Sequence, residues 1–223
     1  MVFSQEKHRF TVRFVLFIAL LMISVQFVAK AQIRPGNFTY KGFSGGMMLH
    51  SGYVSGGKIT LNNAEGTAPA SEEIKGMPFG IGGAIRFHFG DHWRIGSEGY
   101  STTLNYGNYH SNASIGWGGA LVDYLFGHGD LRPFSGITLG GGSVKNLTLL
   151  QETPVDLITE QAVSYRKYSF MAFCPFIGLE YTLTERVHII GKIDYLMNLS
   201  NPQDDFVRGP RIYIGFMFYH INP

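Results

Sequence analysis

From residue 42 to residue 220 the chain consists mainly of segments in which apolar and polar residues alternate. A period of two is typical of β-strands that present one face to an apolar environment, and no helical stretch interrupts the pattern. Clusters of Gly, Asn, Asp and Pro bound the segments, as they do at strand ends. The pattern therefore predicts eight strands. They lie near 42–57, 79–90, 93–107, 114–126, 131–148, 168–182, 187–199 and 210–220.

The connections between these segments alternate in length. Short turns follow the second, fourth and sixth segments, at 91–92, 127–130 and 183–186. Longer polar connections follow the first, third, fifth and seventh, at 58–78, 108–113, 149–167 and 200–209. With an even number of strands, both chain ends fall on the short-turn side. This arrangement predicts an antiparallel up-and-down meander.

Each predicted strand has one continuous apolar face and one face that carries the charges. In the last segment Ile212, Ile214, Phe216 and Phe218 share a face, and the small and polar residues alternate with them. A soluble barrel would place its apolar face inside and a well-charged face outside. Here the polar face is too rich in small residues and too poor in charge to be an ordinary wet exterior. The apolar face is therefore predicted to contact lipid.

The charges are predicted to point into the interior of a closed barrel. Only closure gives every backbone group of a membrane-spanning sheet a hydrogen-bond partner. An Arg near the lipid midplane would cost about 2–4 kcal/mol, and buried ions persist only when they are paired. We expect one ion-pair network in the lumen, in which Glu98 is the expected partner of Arg86. Asp123, Glu180 and Asp194 are the alternatives. Its members are Arg86, Arg94, Glu98, Asp123, Glu180, Lys192 and Asp194.

The first 31 residues have the features of a cleaved secretory signal peptide. Lys7, Arg9 and Arg13 precede an apolar run over 14–28, and Ala29-Lys30-Ala31 fits a small-x-small cleavage site. A single anchoring helix is the alternative, but the run is shorter than the ~20 residues that a helical span needs. We expect residues 1–31 to be removed, 32–41 to form a short periplasmic lead and 42–220 to form the barrel.

Composition narrows the function once the signal peptide is set aside. The chain has 29 Gly, 14% aromatic residues and only 15% charged residues, fewer charges than the roughly 25% of an ordinary soluble domain. Residues 32–223 hold 14 basic and 15 acidic residues, so no basic excess indicates nucleic-acid binding. The single Cys174 forms no intramolecular disulfide and implies no zinc site. We predict no cofactor and no metal.

Together these features resemble the small eight-stranded outer-membrane barrels of the OmpA/OmpX/OmpW type, within the porin-like group. The resemblance covers residues 42–220 and rests on pattern. It implies the outer membrane of a Gram-negative bacterium, insertion by the barrel-assembly machinery, and contact with outer-membrane lipid and lipopolysaccharide. Two features depart from it. The terminal aromatics Phe218 and Tyr219 are followed by four further residues, and Pro175 lies within a strand, where we expect a β-bulge.

Three classes of function remain open, namely a lipid-modifying enzyme, a pore, and a non-enzymatic barrel with a structural or adhesive role. Some barrels of this size that remodel lipid A use a Ser/His pair, and His110 and Ser111 are the candidates here for an acyl hydrolase or acyltransferase. Nucleophilic catalysis needs the two side chains within hydrogen-bonding distance, and adjacent residues on an extended chain point in opposite directions, which weakens this interpretation. A pore conflicts with the narrow interior of eight strands. We expect Trp117, Leu121, Phe134, Tyr213 and Met217 to fill that interior.

The preferred interpretation is a non-enzymatic barrel with a structural or adhesive role. Its polar connections 58–78 and 149–167 would contact an unknown extracellular ligand. A conduit for small apolar molecules that pass laterally through the wall is the further alternative.

Overall fold

The computed structural model describes residues 38–61, 70–107, 111–149, 163–200 and 203–221. Regular structure in these residues is entirely β, and no described helix is long and apolar enough to cross a membrane. The predicted signal peptide and most of the predicted lead lie outside the described residues. The strands are β1 Tyr40–Gly52, β2 Val54–Leu61, β3 Ala70–Gly76, β4 Phe79–Phe89, β5 Trp93–Tyr106, β6 Ser111–Leu125, β7 Leu131–Leu149, β8 Val163–Thr182, β9 Val187–Tyr195, β10 Met197–Asn198 and β11 Pro210–Ile221.

The strands close into a ring of eight. The antiparallel order is β1, β4, β5, β6, β7, β8, β9 and β11, and β11 pairs with β1 to complete the circle. The short β10 continues the line of β9 along β8. Because the ring has no free edge, its backbone groups satisfy one another, as a membrane-spanning sheet requires. The predicted eight-stranded up-and-down barrel is confirmed.

The two faces of the wall have the predicted characters. On β11 the outward side chains Ile214, Phe216 and Phe218 are 54–64% exposed, whereas the inward Tyr213 and Met217 are at most 1% exposed. The same alternation runs around the ring, so large apolar side chains cover the outer surface. An outward apolar band of this kind is what a lipid bilayer solvates and water does not.

Three predicted connections differ from the structure. The stretch 58–78 contains most of a β-hairpin, in which β2 pairs with β3 as a separate two-stranded sheet. β6 begins at Ser111, inside the predicted connection 108–113. β7 continues to Leu149 and β8 begins at Val163, so only 150–162, outside the described residues, remains of the connection 149–167. Strand segments that project beyond the lipid need no apolar face, so their sequences do not show the alternation of apolar and polar residues that predicts a strand.

The bulge expected at Pro175 does not form. On one side of the proline Phe176 faces Asp194, and on the other side Phe173 faces Met197. Between these two pairs β8 and the β9–β10 line each cover three residues, so the register is kept. On the other side, Ile137 faces Pro175 in an uninterrupted ladder with β7. The missing amide hydrogen interrupts the pairing with β9 without shifting it, because β7 fixes the position of β8.

Candidate functional site

The seven residues predicted for the lumenal network all lie inside the barrel. None is more than 5% exposed. The structure divides them into two groups, which we call the turn-side cluster and the mid-barrel cluster. The turn-side cluster contains Arg86, Arg94, Asp123 and Glu180, joined by Arg132, His188 and Tyr219. The mid-barrel cluster contains Glu98, Lys192 and Asp194, joined by Tyr100, Thr138 and Arg211.

Two carboxylates organise the turn-side cluster. Asp123 accepts hydrogen bonds from Nε of Arg86 at 2.8 Å and from Nε of Arg94. Arg94 also donates to Glu180, which accepts a further bond from Arg132 at 2.8 Å. These charge-assisted bonds offset the desolvation of the carboxylates and of Arg86 and Arg94, which are almost completely removed from water, whereas the side chain of Arg132 stays 22% exposed.

In the mid-barrel cluster an ammonium group joins two acids. Nζ of Lys192 lies 2.8 Å from Oε2 of Glu98 and 3.7 Å from Oδ2 of Asp194. Asp194 also accepts a bond from Nε of Arg211 at 2.8 Å. The Lys192 ammonium lies 4.4 Å from the ring centroid of Tyr213, a distance at which cation–π attraction adds to the ion pairs.

The structure identifies the partner of Arg86. The expected pair of Arg86 with Glu98 is wrong: Arg86 bonds to Asp123, one of the alternatives, whereas Glu98 belongs to the other cluster because its height in the lumen matches that of Lys192. Arg132 and Arg211 were missed by the sequence reasoning. The signal was present, since Arg211 stands two residues before Tyr213 and Arg132 two residues before Phe134, both on inward faces.

Apolar and aromatic side chains fill the space that the ions leave. The five predicted filling residues, Trp117, Leu121, Phe134, Tyr213 and Met217, are all inward and at most 5% exposed. The guanidinium of Arg94 lies 5.0 Å from the ring centroid of Phe134, so the aromatic and ionic layers are in direct contact. Among the described residues no group of His, Cys, Asp and Glu is arranged to hold a metal ion.

The candidate catalytic pair is not assembled by the described residues. His110 lies outside them. Ser111 is fully buried, and its hydroxyl accepts a hydrogen bond from the Leu149 amide at 2.9 Å and lies 3.4 Å from the Leu149 carbonyl oxygen. This hydroxyl therefore links β6 to β7 at the loop-side end of the wall.

The loop-side mouth is occupied by residues 203–208, which we call the strap. Phe206 is 1% exposed and packs edge-on against Phe170, with ring centroids 5.0 Å apart. The buried carboxylate of Asp205 accepts a bond from Asn146 at 2.7 Å. The backbones of Ser55 and Arg208 exchange two hydrogen bonds, at 2.8 and 2.9 Å. The strap thus connects the β2 side of the mouth to the β7–β8 side.

A small recess lies beside the strap inside the loop-side end of the barrel. Its walls are mostly apolar and include Val54, Leu104, Ile115, Leu196 and Val207. Thr102 and Arg211 are the polar side chains of its lining. Leu196 occupies the short break between β9 and β10, close to the interruption opposite Pro175.

Comparison with solved structures agrees with this architecture. Neisserial surface protein A aligns with a TM-score of 0.53 and 14% identity, over 82% of this chain and 99% of that chain. The attachment invasion locus protein Ail of Yersinia pestis, in complex with sucrose octasulfate, aligns with a TM-score of 0.46 and 13% identity, over 81% and 99%. Outer membrane protein OprG from Pseudomonas aeruginosa gives 0.43 and 11%, over 82% and 98%. No protein-family model matches the chain, and no curated protein matches it in sequence.

The closed ring, the outward apolar band and the likeness to Neisserial surface protein A define the fold class of the protein. The chain has the fold of the small eight-stranded outer-membrane β-barrels. At the identities observed the likeness extends to the fold, and the interior and the mouth have to be interpreted from this chain's own residues.

Proposed function

We propose that this protein is a non-enzymatic β-barrel of the Gram-negative outer membrane that closes its own lumen and acts through its loop-side end. The observation that carries the proposal is the filled interior, in which both ionic clusters lie among packed aromatic side chains. Eight strands leave an interior that side chains can fill, so the lumen offers no water-filled path. The β2–β3 hairpin and the ends of β7 and β8, with the connections 58–78 and 149–167, are then the parts that meet an extracellular ligand.

Cysteine labelling tests the location and the orientation of the barrel. In intact cells, a membrane-impermeant maleimide is expected to label Glu73→Cys on the hairpin and to leave Asp130→Cys on a short turn unlabelled until the cells are lysed. The native Cys174 is completely buried and provides a low background. Labelling of Asp130→Cys alone in intact cells would show that the orientation is the opposite of the proposed one. Labelling of neither variant would show that the protein is not exposed at the cell surface.

A hairpin deletion tests the interactive role. Replacing residues 58–73 by a short turn leaves the backbone bonds of Ser55 and Gly57 to the strap in place. The deletion is expected to abolish attachment of expressing cells to those coated surfaces, in a panel of protein and glycan coatings, that cells expressing the wild type bind, with detergent resistance unchanged. The matched control is the same assay with Lys192→Gln/Glu98→Gln, which changes only the interior. If the deletion leaves attachment intact and reduces detergent resistance, the role is structural.

The recess supports a conduit for small apolar molecules as a second candidate. Its apolar walls lie beside the strap and close to the interrupted ladder at Pro175. Movement of the strap would open a lateral path from the mouth to the lipid. If the protein is a conduit, the strap has to move to open the path, whereas in the non-enzymatic closed barrel the strap stays fixed in the mouth.

A reversible disulfide distinguishes the two candidates. Ser55 and Arg208 exchange both backbone hydrogen bonds, which places their Cα atoms about 5.5 Å apart, a spacing that a disulfide spans. In liposomes, oxidised Ser55→Cys/Arg208→Cys is expected to slow the entry of a small alkane at least fivefold, with recovery on reduction, if the conduit operates. Equal rates for the oxidised and the reduced protein would eliminate it.

A further inference from the structure

The outward face of the barrel carries very few charged side chains. On the described outward positions of the ring strands, the Lys and Asp/Glu residues are Lys41, Lys145 and Lys167. Lys41 lies at the turn-side end, where it forms an ion pair with Asp91. Lys145 and Lys167 lie on the loop-side parts of β7 and β8 and are both exposed. Neither has a carboxylate partner among the described residues.

The two lysines stand directly opposite each other. The register of β7 and β8 pairs Lys145 with Lys167, and side chains opposed in this way have Cβ atoms about 4.5–5.5 Å apart. Like charges in this position destabilise a sheet. The cost disappears when an anion with two or more oxygen acceptors lies between the ammonium groups.

Hydroxyl groups complete the surroundings of the lysine pair. Ser143 and Ser169 form the neighbouring outward pair on the membrane side, and Ser114 on β6 faces Lys145. Gly116, which faces Ser143, has no atom within 4 Å of the point where a side chain would begin. The patch therefore offers two ammonium and three hydroxyl donors around open space. We call these residues, Ser114, Ser143, Lys145, Lys167 and Ser169, the lysine patch.

The height of the lysine patch matches the edge of the lipid. The outward apolar row of β8 runs from Tyr181 to Met171. Ten residue intervals cover about 33 Å along a strand, and a tilt of about 40° reduces this to about 25 Å, the height of the apolar band of outer-membrane barrels. Ser169 and Lys167 follow directly, on the side of the longer connections. The ammonium groups thus lie at the level of the lipid headgroups.

We propose that the lysine patch binds the phosphate of an anionic lipid headgroup in the outer leaflet. The inference rests on the outer-membrane location and orientation proposed above. A phosphate presents oxygen acceptors to both ammonium groups at once, and lysine binds phosphate as a point charge. The surrounding serine hydroxyls supply neutral donors, and no carboxylate on the outward faces of β5–β8 repels the anion.

Lipid titration tests the site. The purified barrel in an uncharged detergent is titrated with bisphosphorylated lipid A or with the same lipid after removal of its phosphates, and bound lipid is counted by native mass spectrometry. The wild type is expected to prefer the phosphorylated lipid, and Lys145→Gln/Lys167→Gln to bind it at least about tenfold more weakly. The control Lys41→Gln/Arg186→Gln removes the same charge from exposed positions at the turn-side end of the barrel and is expected to keep the preference.

The stability of Lys145→Gln relative to the wild type is expected to change sign with the lipid, which would not happen if the two lysines had only a structural role. In phosphatidylcholine vesicles Lys145→Gln is expected to raise the urea midpoint of unfolding, because it relieves the repulsion with Lys167. In vesicles that also contain bisphosphorylated lipid A, the same variant is expected to lower the midpoint relative to the wild type. A shift of the same sign in both vesicles would overturn the proposal.

The remaining outcomes separate the site from the location on which it rests. Equal binding of both lipids by a correctly inserted barrel overturns the lysine patch alone. Complete displacement of lipid A by millimolar inorganic phosphate would assign the site to free phosphate and overturn the proposal that it binds a lipid headgroup. Failure of the wild type to insert into either vesicle would overturn the location and the inference together.

Discussion

Lys192→Met is expected to lower the free energy of unfolding by about 3–5 kcal/mol, the usual cost of removing one partner of a buried ion pair. Lys192 is 1% exposed, and its ammonium is the cation within hydrogen-bonding distance of Glu98 in the described structure. Without it, Glu98 keeps neutral donors from Thr138 and Tyr100 but remains a buried charge. Urea unfolding in detergent micelles or liposomes measures the change.

The adjacent residue and a second substitution provide the controls for Lys192→Met. Ile193→Leu alters a lipid-facing side chain, 46% exposed, and is expected to cost less than 1 kcal/mol because both side chains suit hydrocarbon. Adding Glu98→Gln to Lys192→Met removes the stranded carboxylate and is expected to restore at least half of the loss. The pairing is wrong if the double variant is no more stable than Lys192→Met, and the assignment of faces is inverted if Ile193→Leu is the more damaging change.

The second large effect is expected for Asp123→Leu, again about 3–5 kcal/mol. Asp123 bonds to Arg86 and Arg94, and all three side chains are at most 1% exposed. After its removal Arg94 still pairs with Glu180. Among the described residues, Arg86 then keeps the sulfur of Met217 at 3.7 Å and the ring of Phe134 as its contacts, neither of which carries a negative charge, so its buried guanidinium becomes uncompensated.

Rescue identifies the partner that Asp123 leaves behind. Arg86→Leu in the Asp123→Leu background is expected to recover most of the stability, since a buried pair replaced by apolar residues of similar size is often close to neutral. Glu98→Gln in the same background is expected to recover none, because Glu98 belongs to the mid-barrel cluster. Val122→Leu on the outward face is the neutral control. Rescue by Glu98→Gln instead of Arg86→Leu would show that the two clusters are coupled differently from the observed contacts.

The strands and their faces could be predicted from the sequence because they follow from local chemistry. Side chains alternate across a strand whatever its neighbours are, and a wall between lipid and a narrow lumen needs apolar residues at every second position. Phe216 and Met217 were therefore assigned to opposite faces without knowledge of any contact. The same reasoning missed the β2–β3 hairpin and the ends of β7 and β8, where the strands leave the lipid and the alternation is no longer required.

The pairing of the charges could not be predicted, because ring closure decides it. Arg94 and Glu180 are 86 positions apart, and Lys192 and Glu98 are 94 apart. Their heights in the lumen depend on the register of every ladder between them, and alternation gives a residue's face but not its height. The sequence could thus assign the charges to the lumen, but the expectation that Arg86 pairs with Glu98 was wrong.

Pro175 and the strap show the same division. The missing amide of Pro175 was visible in the sequence, but its effect depended on β7, which holds β8 in register and prevents the bulge. Nothing local indicated that Asp205 and Phe206 would enter the mouth, because their partners Asn146 and Phe170 lie on other strands. The sequence by itself determined eight strands, their lipid-facing and lumenal sides and the class of protein; the tertiary structure alone decided the ion pairs, the register and the closed mouth, because these depend on contacts between residues far apart in the chain.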